Sequence, residues 1–216
     1  GVWMAAGGRY ESARLCGVSH FLEHLMFKGT LSRTARQIKE AIEGLGGAMN
    51  AFTDVETTCL YAQVPAKHAA VALDVLLDMT FHARLSAGDV ERERQVILEE
   101  IKMYLDAPMQ YVQDLLGTVM WPRHPLGMFL AGTRQSVGRI GRRDLAAYCR
   151  RFYAPANVVV AVAGPVSHRL LVEQVAARGG RLAPGRPQRF RRASQRQGRP
   201  RWDCTVKETE QTHAAL

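Results

Sequence analysis

The sequence predicts an α+β fold, a mostly antiparallel β-sheet with helices packed on one face. Three observations carry this. Short β-branched or alternating runs at 1–6, 48–53, 56–64 and 157–163 are separated by longer stretches with apolar residues at helical spacing. Two of the runs, Ala48 to Thr53 and Glu56 to Val64, are joined by a short turn at Asp54-Val55, the connection of an antiparallel hairpin. Strands and helices alternate along the chain, with hairpin links rather than helical crossovers between neighbouring strands.

Each element has a local reason. Gly7-Gly8 turns the first strand toward a helix that begins near Val18 and ends at Gly29. Ser32 or Thr34 caps a second helix through Leu45, with Ala35, Ile38, Ala41, Ile42 and Leu45 on one stripe and Gly46-Gly47 as its stop. After the hairpin, Ala66 to about Arg84 is amphipathic, and Ser86-x-x-Asp89 is a capping box opening a helix to about Leu105. Pro108 suits the first turn of another, through Trp121. A Pro/Gly-rich loop is expected from Pro122 to Gly141, a helix over Arg142 to Tyr153, a buried strand at Asn157 to Ala163, and a last helix capped by Ser167 to about Arg178. Residues 179–200 turn to Gly, Pro, Arg, Gln and Ser and read as a solvated linker; Arg201 to Leu216 resumes strand-like alternation.

The chain has 216 residues, 47% hydrophobic and 23% charged, enough for one large or two small cores and too apolar for disorder. The net charge of +9 suggests nucleic acid, but much of the excess lies in the Arg186 to Arg201 segment, where only Phe190 and the adjoining Trp202 could stack on bases. No nucleic acid is therefore expected as a partner. No apolar run is long enough for a membrane span. The four cysteines, Cys16, Cys59, Cys149 and Cys204, show no Cys-x-x-Cys spacing, which favours free thiols in a reducing compartment such as a bacterial cytoplasm or a mitochondrial matrix. Residues 1–7 read as the middle of a strand without initiator Met or leader, so both ends of the chain are expected to be cut.

The chemistry concentrates at His20-Phe-Leu-Glu23-His24. At about 100° per residue, His20 and His24 stack on one helix face with Glu23 about 60° to the side. Two imidazoles and a nearby carboxylate suit a catalytic zinc, which needs nitrogen ligands, a base for its bound water and an open position. The order His-x-x-Glu-His is the inverzincin signature. A second helix offers more carboxylate. With Glu93 at zero on the wheel of Val90 to Leu105, Val90, Ile97, Leu98, Ile101 and Leu105 fall between about 40° and 140°, Val96 and Met103 near −60° and −80°, and Glu100 near −20°, beside Glu93 and inside the apolar arc. Glu99 lies about 100° from Glu100, in the polar arc with Gln95 and Lys102. Two carboxylates on a buried face need a cation, supplied either by arginines or by a metal on His20 and His24.

Several blocks together carry a family resemblance: His20-Phe-Leu-Glu-His-Leu-Met-Phe-Lys-Gly-Thr30, Gly46-Gly-Ala-Met-Asn-Ala-Phe-Thr53, Glu93-Arg-Gln-Val-Ile-Leu-Glu-Glu-Ile101, His124-Pro-Leu-Gly127 and Tyr153-Ala-Pro-Ala-Asn157. In this order they resemble the pitrilysin and mitochondrial processing peptidase family of zinc metallopeptidases, in its N-terminal catalytic half. The resemblance implies a metallopeptidase domain of the processing-peptidase type, with one zinc per chain on His20, His24 and Glu100, Glu23 as general base and Glu93 as a supporting acid. The wheel agrees with Glu100 over Glu99, and Glu93 lies about 10 Å along the axis from Glu100, beyond reach of one ion without bending the helix. Asn50, Ala51, Phe52 and Thr53 resemble the family's substrate-binding edge strand. Two small departures, Gly7-Gly8 for Gly-Ser and Gly164-Pro165 for Gly-Asn, lie outside the metal set.

The expected organisation is then a catalytic domain over 1–178, a linker over 179–200 and the start of a second homologous domain over 201–216. The expected function is zinc-dependent endoproteolysis of peptides or presequence-like unfolded segments. Its partners would be that substrate and a second homologous half or a partner subunit, a second copy of the chain included. The rival readings are a non-catalytic subunit of the same fold, which would be expected to have lost part of the metal set, and an incomplete fragment inactive without its second half.

Overall fold

Four strands, β1 (Val2–Met4), β2 (Ala48–Thr53), β3 (Thr58–Gln63) and β4 (Val158–Val160), form one sheet in the order β2-β3-β1-β4 with every neighbouring pair antiparallel. This computed structural model describes residues 1–180, 182–194, 196–208 and 211–216. The pairing Phe52↔Cys59↔Trp3↔Val159 runs across one face, and Ala51↔Leu60↔Val2↔Val160 across the other. Because side chains alternate along a strand, Val2, Met4, Ala51 and Leu60 are buried under the helices, while Trp3, Phe52, Tyr61 and Val159 remain exposed on the open face.

The helices follow their sequence signals closely. They are α1 (Val18–Met26), α2 (Ala35–Glu43), α3 (Ala69–His82), α4 (Ala87–Leu105), α5 (Pro108–Met120), α6 (Arg134–Arg139), α7 (Arg142–Phe152) and α8 (His168–Gly179). Thr34, not Ser32, caps α2 in a reciprocal box with Gln37, Ser86 Oγ accepts from Asp89 N at the start of α4, and Pro108 occupies the first turn of α5. Ser167 stands at the N-terminus of α8 but its side chain makes no capping bond. Helix α1 ends at Met26, before Gly29 takes a left-handed φ of 121°. Phe21, Leu22, Leu25 and Met26 of α1 are fully buried; each contributes about 1.5–3 kcal/mol of transfer energy, which roots the helix in the core and fixes the direction of its polar residues.

Three expectations need correction. The segment from Pro122 to Gly141 is not all loop: Thr133 caps α6 in a box with Ser136, and Val137 and Ile140 are buried. The run at 157–163 is not a buried strand. Only Val158–Val160 pairs, with β1 alone, leaving β4 at a sheet edge with Val159 66% exposed. Residues 201–208 and 211–216 form no strand, because among the described residues no neighbouring strand lies there to complete the hydrogen bonds. That stretch lies along α5 instead, with the Lys207 ammonium bonded to Leu105 O and 5.5 Å from the Tyr111 ring centroid.

The described residues of 182–194 carry no regular structure, but they are laid on the domain rather than free of it. Pro184 O accepts from Ala156 N, Gln188 N donates to Asn157 Oδ1, and the Phe190 ring lies 3.7 Å under the Arg9 guanidinium.

Candidate metal centre

Helix α1 starts with a glycine for a steric reason. Gly17 has a φ of 89°, and a Cβ there would stand 2.7 Å from Ala131 O, so the segment before α6 can press against the helix end. Ser136 Oγ donates to Cys16 O across the same contact. A glycine offers no capping side chain, and Glu11 supplies the acceptor from outside the helix. Its buried carboxylate takes Gly17 N at 2.7 Å and Ser19 N at 2.8 Å, and Ser19 Oγ in turn lies 2.9 Å from Tyr148 OH. Burial pushes the Glu11 carboxyl up to about 7, with the hydrogen bonds from Ser19 and Gly17 opposing the shift.

From this anchored start, His20 and His24 project toward α4. Their rings are edge to face, with centroids 4.7 Å apart. Glu100 Oε2 lies 3.7 Å from His20 Nε2 and 3.4 Å from His24 Nε2, and the three side chains offer ligand atoms within 4.8 Å of one another. Ligand atoms about 2.0–2.1 Å from a tetrahedral zinc stand about 3.4 Å apart, so the spacing suits that ion. Burial, with His24 adding to it, lowers His20 to about 4, which keeps its imidazole neutral at pH 7.

The polar atoms support the same fit. Glu100 Oε2 is buried with no hydrogen-bond donor; His20 Nδ1 is also unpartnered, but it is the ring nitrogen away from Glu100 and an ion at Nε2 would not satisfy it. On its other side, His24 Nδ1 lies 3.3 Å from Glu93 Oε2. If that nitrogen carries the proton, Nε2 turns a lone pair toward Glu100 Oε2, and two acceptors then face each other across a gap that a cation would fill. Glu93 is buried and its other oxygen is 2.8 Å from Lys28 Nζ, so it meets a lysine rather than the arginine considered from sequence. Glu99 is exposed and pairs with Lys102 at 2.6 Å.

Glu23 and His20 line a cavity of about 750 Å³. Ala51, Phe52 and Thr53 of β2 line it too, whereas Asn50 does not; Asn50 Oδ1 accepts from Ala51 N. Leu105 is on the cavity wall and partly exposed, so the apolar arc of α4 continues past the core into this space. Asp114 of α5 is a wall residue that sequence reasoning missed, and burial raises its carboxyl above the usual range.

The comparison with known families decides the lineage. Residues 1–134 match the family Insulinase (Peptidase family M16), and residues 139–216 match the Peptidase M16 inactive domain. The chain belongs to peptidase family M16. An uncharacterised zinc protease of Bacillus subtilis is 44% identical over 77% of this M16 chain and 41% of its own length. An uncharacterised zinc protease of Mycobacterium tuberculosis is 41% identical over 100% of this chain and 50% of its own. The bovine mitochondrial-processing peptidase subunit beta is 36% identical over 80% and 35%. The M16 chain thus spans about half the length, or less, of these curated relatives. Among solved structures, a Helicobacter pylori protease superposes with a TM-score of 0.82 at 22% identity, covering 90% of this chain and 47% of that one. Pitrilysin gives 0.74 at 22%, covering 85% and 20%; both share the fold. The second family match begins inside a continuous body, since β4, which lies within it, pairs with β1 from the first.

Proposed function

We propose that this M16 chain is the zinc-binding half of an endopeptidase, with one zinc held by His20, His24 and Glu100. The observation that carries the reading is Glu100 Oε2, buried without a donor and facing the Nε2 atoms of both histidines. Buried polar atoms in native proteins are nearly always satisfied, and a cation here would satisfy Glu100 Oε2 while meeting the Nε2 atoms of both histidines. No helix among the described residues is long and apolar enough to cross a membrane.

A zinc in this position supplies Lewis acidity and a bound water of lowered pKa. The chain's own side chains do the rest. His20 and His24 are one turn apart on a helix rooted in the core by Phe21, Leu22, Leu25 and Met26, so their separation is fixed before any ion arrives. Glu23, on the cavity side of the same helix, is the group to receive a proton from the attacking water and to return it to the departing amine. Glu93 orients His24 through Nδ1. The outer edge of β2 has no strand partner among the described residues, so an extended peptide could add there, its side chains entering the cavity beside Ala51, Phe52 and Thr53. Tyr104, Leu105, Met109 and Phe129 make that wall largely apolar, which suits apolar residues flanking the cleaved bond.

A second homologous half or a partner subunit would close this open side. The test is metal content followed by hydrolysis. The purified chain should bind one zinc at neutral pH, lose it to a chelator, and cut an unfolded peptide internally only when reloaded, alone or with its partner half. A chain that takes up no zinc overturns the reading, as does zinc that Glu100→Gln leaves equally tightly bound.

A further inference from the structure

A buried carboxylate can satisfy two partners, one per oxygen, and Glu93 has two that come from the same stretch of chain. Its Oε1 lies 2.8 Å from Lys28 Nζ and its Oε2 lies 3.3 Å from His24 Nδ1, while its side chain is only 8% exposed. Lys28 stands just past the end of α1 and is fixed there by its backbone: its N–H donates to Leu25 O at 3.1 Å and its carbonyl accepts from Arg84 Nη2 at 3.2 Å. The segment that leaves the helix presenting His24 therefore carries the cation that holds the carboxylate facing it.

The terminal torsion of a glutamate is broad and has no strong preference of its own. Something must set it, and the charge-assisted bond to the ammonium at 2.8 Å is shorter and stronger than the 3.3 Å contact to the imidazole. With Oε1 taken by Lys28, Oε2 is left pointing at Nδ1, which favours the tautomer whose proton sits there and whose Nε2 lone pair faces Glu100. We propose that Lys28 is a positioning residue for the metal site: acting through Glu93, it sets the tautomer and ring orientation of His24. This rests on the zinc-site reading above and adds to it a residue that touches neither metal nor substrate.

A lysine that merely ties the end of α1 to α4 through Glu93 would affect stability but would leave the His24 tautomer unchanged. The experiment separates the two. Zinc affinity is measured by chelator competition for the whole chain and for Lys28→Met, Lys28→Arg, Glu93→Gln and the Lys28→Met/Glu93→Gln pair, with ¹⁵N shifts of His24 recorded on the metal-free proteins. Lys28 is about one-third exposed (37%), so the methionine variant should fold, and Lys28→Arg tests recovery of the charge. Zinc binding should weaken by about ten-fold in Lys28→Met, the lower end of the range for groups that orient a ligand, recover largely in Lys28→Arg, and be no weaker in the pair than in Glu93→Gln. The His24 spectrum should move from the Nδ1–H tautomer toward a mixture in Lys28→Met. Unchanged zinc affinity in Lys28→Met, or the same fold-loss with and without Glu93, overturns the proposal. If the unaltered chain binds no zinc, the zinc-site reading fails by itself, and the metal-free His24 spectrum alone then decides: the same tautomer in Lys28→Met overturns the positioning role, and a shift supports it.

Discussion

Glu93 and Glu100, seven residues apart on α4, address the two nitrogens of one imidazole: Glu93 Oε2 lies 3.3 Å from His24 Nδ1 and Glu100 Oε2 lies 3.4 Å from His24 Nε2. Two helical turns separate their backbones by about 10 Å, and the ring of His24 spans what remains between their converging carboxylates. Their roles are therefore different, and so are the expected losses. Zinc affinity should fall steeply in Glu100→Gln, about ten- to a hundred-fold in Glu93→Gln, and hardly at all in Glu99→Gln, whose side chain is paired with Lys102 in solvent. Competition titration checks all three, and a loss in Glu99→Gln larger than in Glu100→Gln would mean that the two helices meet through another face.

Glu23 sits beside His20 on the cavity but is absent from the group of side chains that converge as ligands. Replacing it with glutamine keeps its shape and removes its ability to accept a proton. The variant should retain zinc within about two-fold, yet lose peptide hydrolysis by at least about a hundred-fold, the scale of general acid–base contributions. Zinc analysis and a peptide assay on the same sample check this. Turnover that survives would move the base role to another wall residue.

How much of this was legible follows from what each signal depends on. His20, Glu23 and His24 lie within one and a half turns, so periodicity alone put them on one face, and the wheel of α4 separated Glu100 from Glu99 because burial there follows the same period. Glu11 and Lys28 had no such signal. Glu11 meets the start of α1 through a turn whose path no local rule gives, and Lys28 meets Glu93 from 65 positions earlier in the chain. The run from Asn157 to Ala163 read as a buried strand because β-branched residues on both faces suggest burial on both; its edge position is set by β1 alone pairing with Val158–Val160. Helix α6 was hidden by its brevity and by Gly138, although Thr133-x-x-Ser136 was a visible capping pattern.

Gly17 offers a test of the packing that aims α1. Its φ of 89° suits glycine, and Ala131 O stands 2.7 Å from where a Cβ would be, so both backbone strain and collision oppose any side chain. Gly17→Ala should cost about 2 kcal/mol or more in denaturant unfolding and should also weaken zinc binding, because the shift falls at the start of the ligand-bearing helix. Gly138→Ala is the control: it lies inside α6 with nothing within 4 Å of its Cβ position, and the change should be neutral or stabilising by up to about 1 kcal/mol. Equal effects at the two positions would contradict the close approach at Gly17.

The Glu11 carboxyl sets burial against hydrogen bonding, and pH reads which one wins. Burial disfavours its charge; the N–H groups of Gly17 and Ser19, at the positive end of α1, favour it. Burial is the larger, and the carboxyl is raised from 4.5 to about 7. A folded-state value above the unfolded one means that the folded chain holds the proton more tightly. The contribution to stability is then full below about pH 4.5 and is lost as pH rises through about 7. Glu11→Gln cannot ionise and still offers one acceptor to the helix start, so it should lack this loss. Thermal melts of the two proteins, made with chelator present so that metal does not enter, should therefore diverge between about pH 5 and pH 8. The stability of the unaltered chain relative to the variant should decline across that window by on the order of 3 kcal/mol at most. A difference that stays flat across the window would mean that the two backbone donors and the helix end hold Glu11 ionised in spite of its burial, and that α1 is anchored by a carboxylate rather than by a neutral acid.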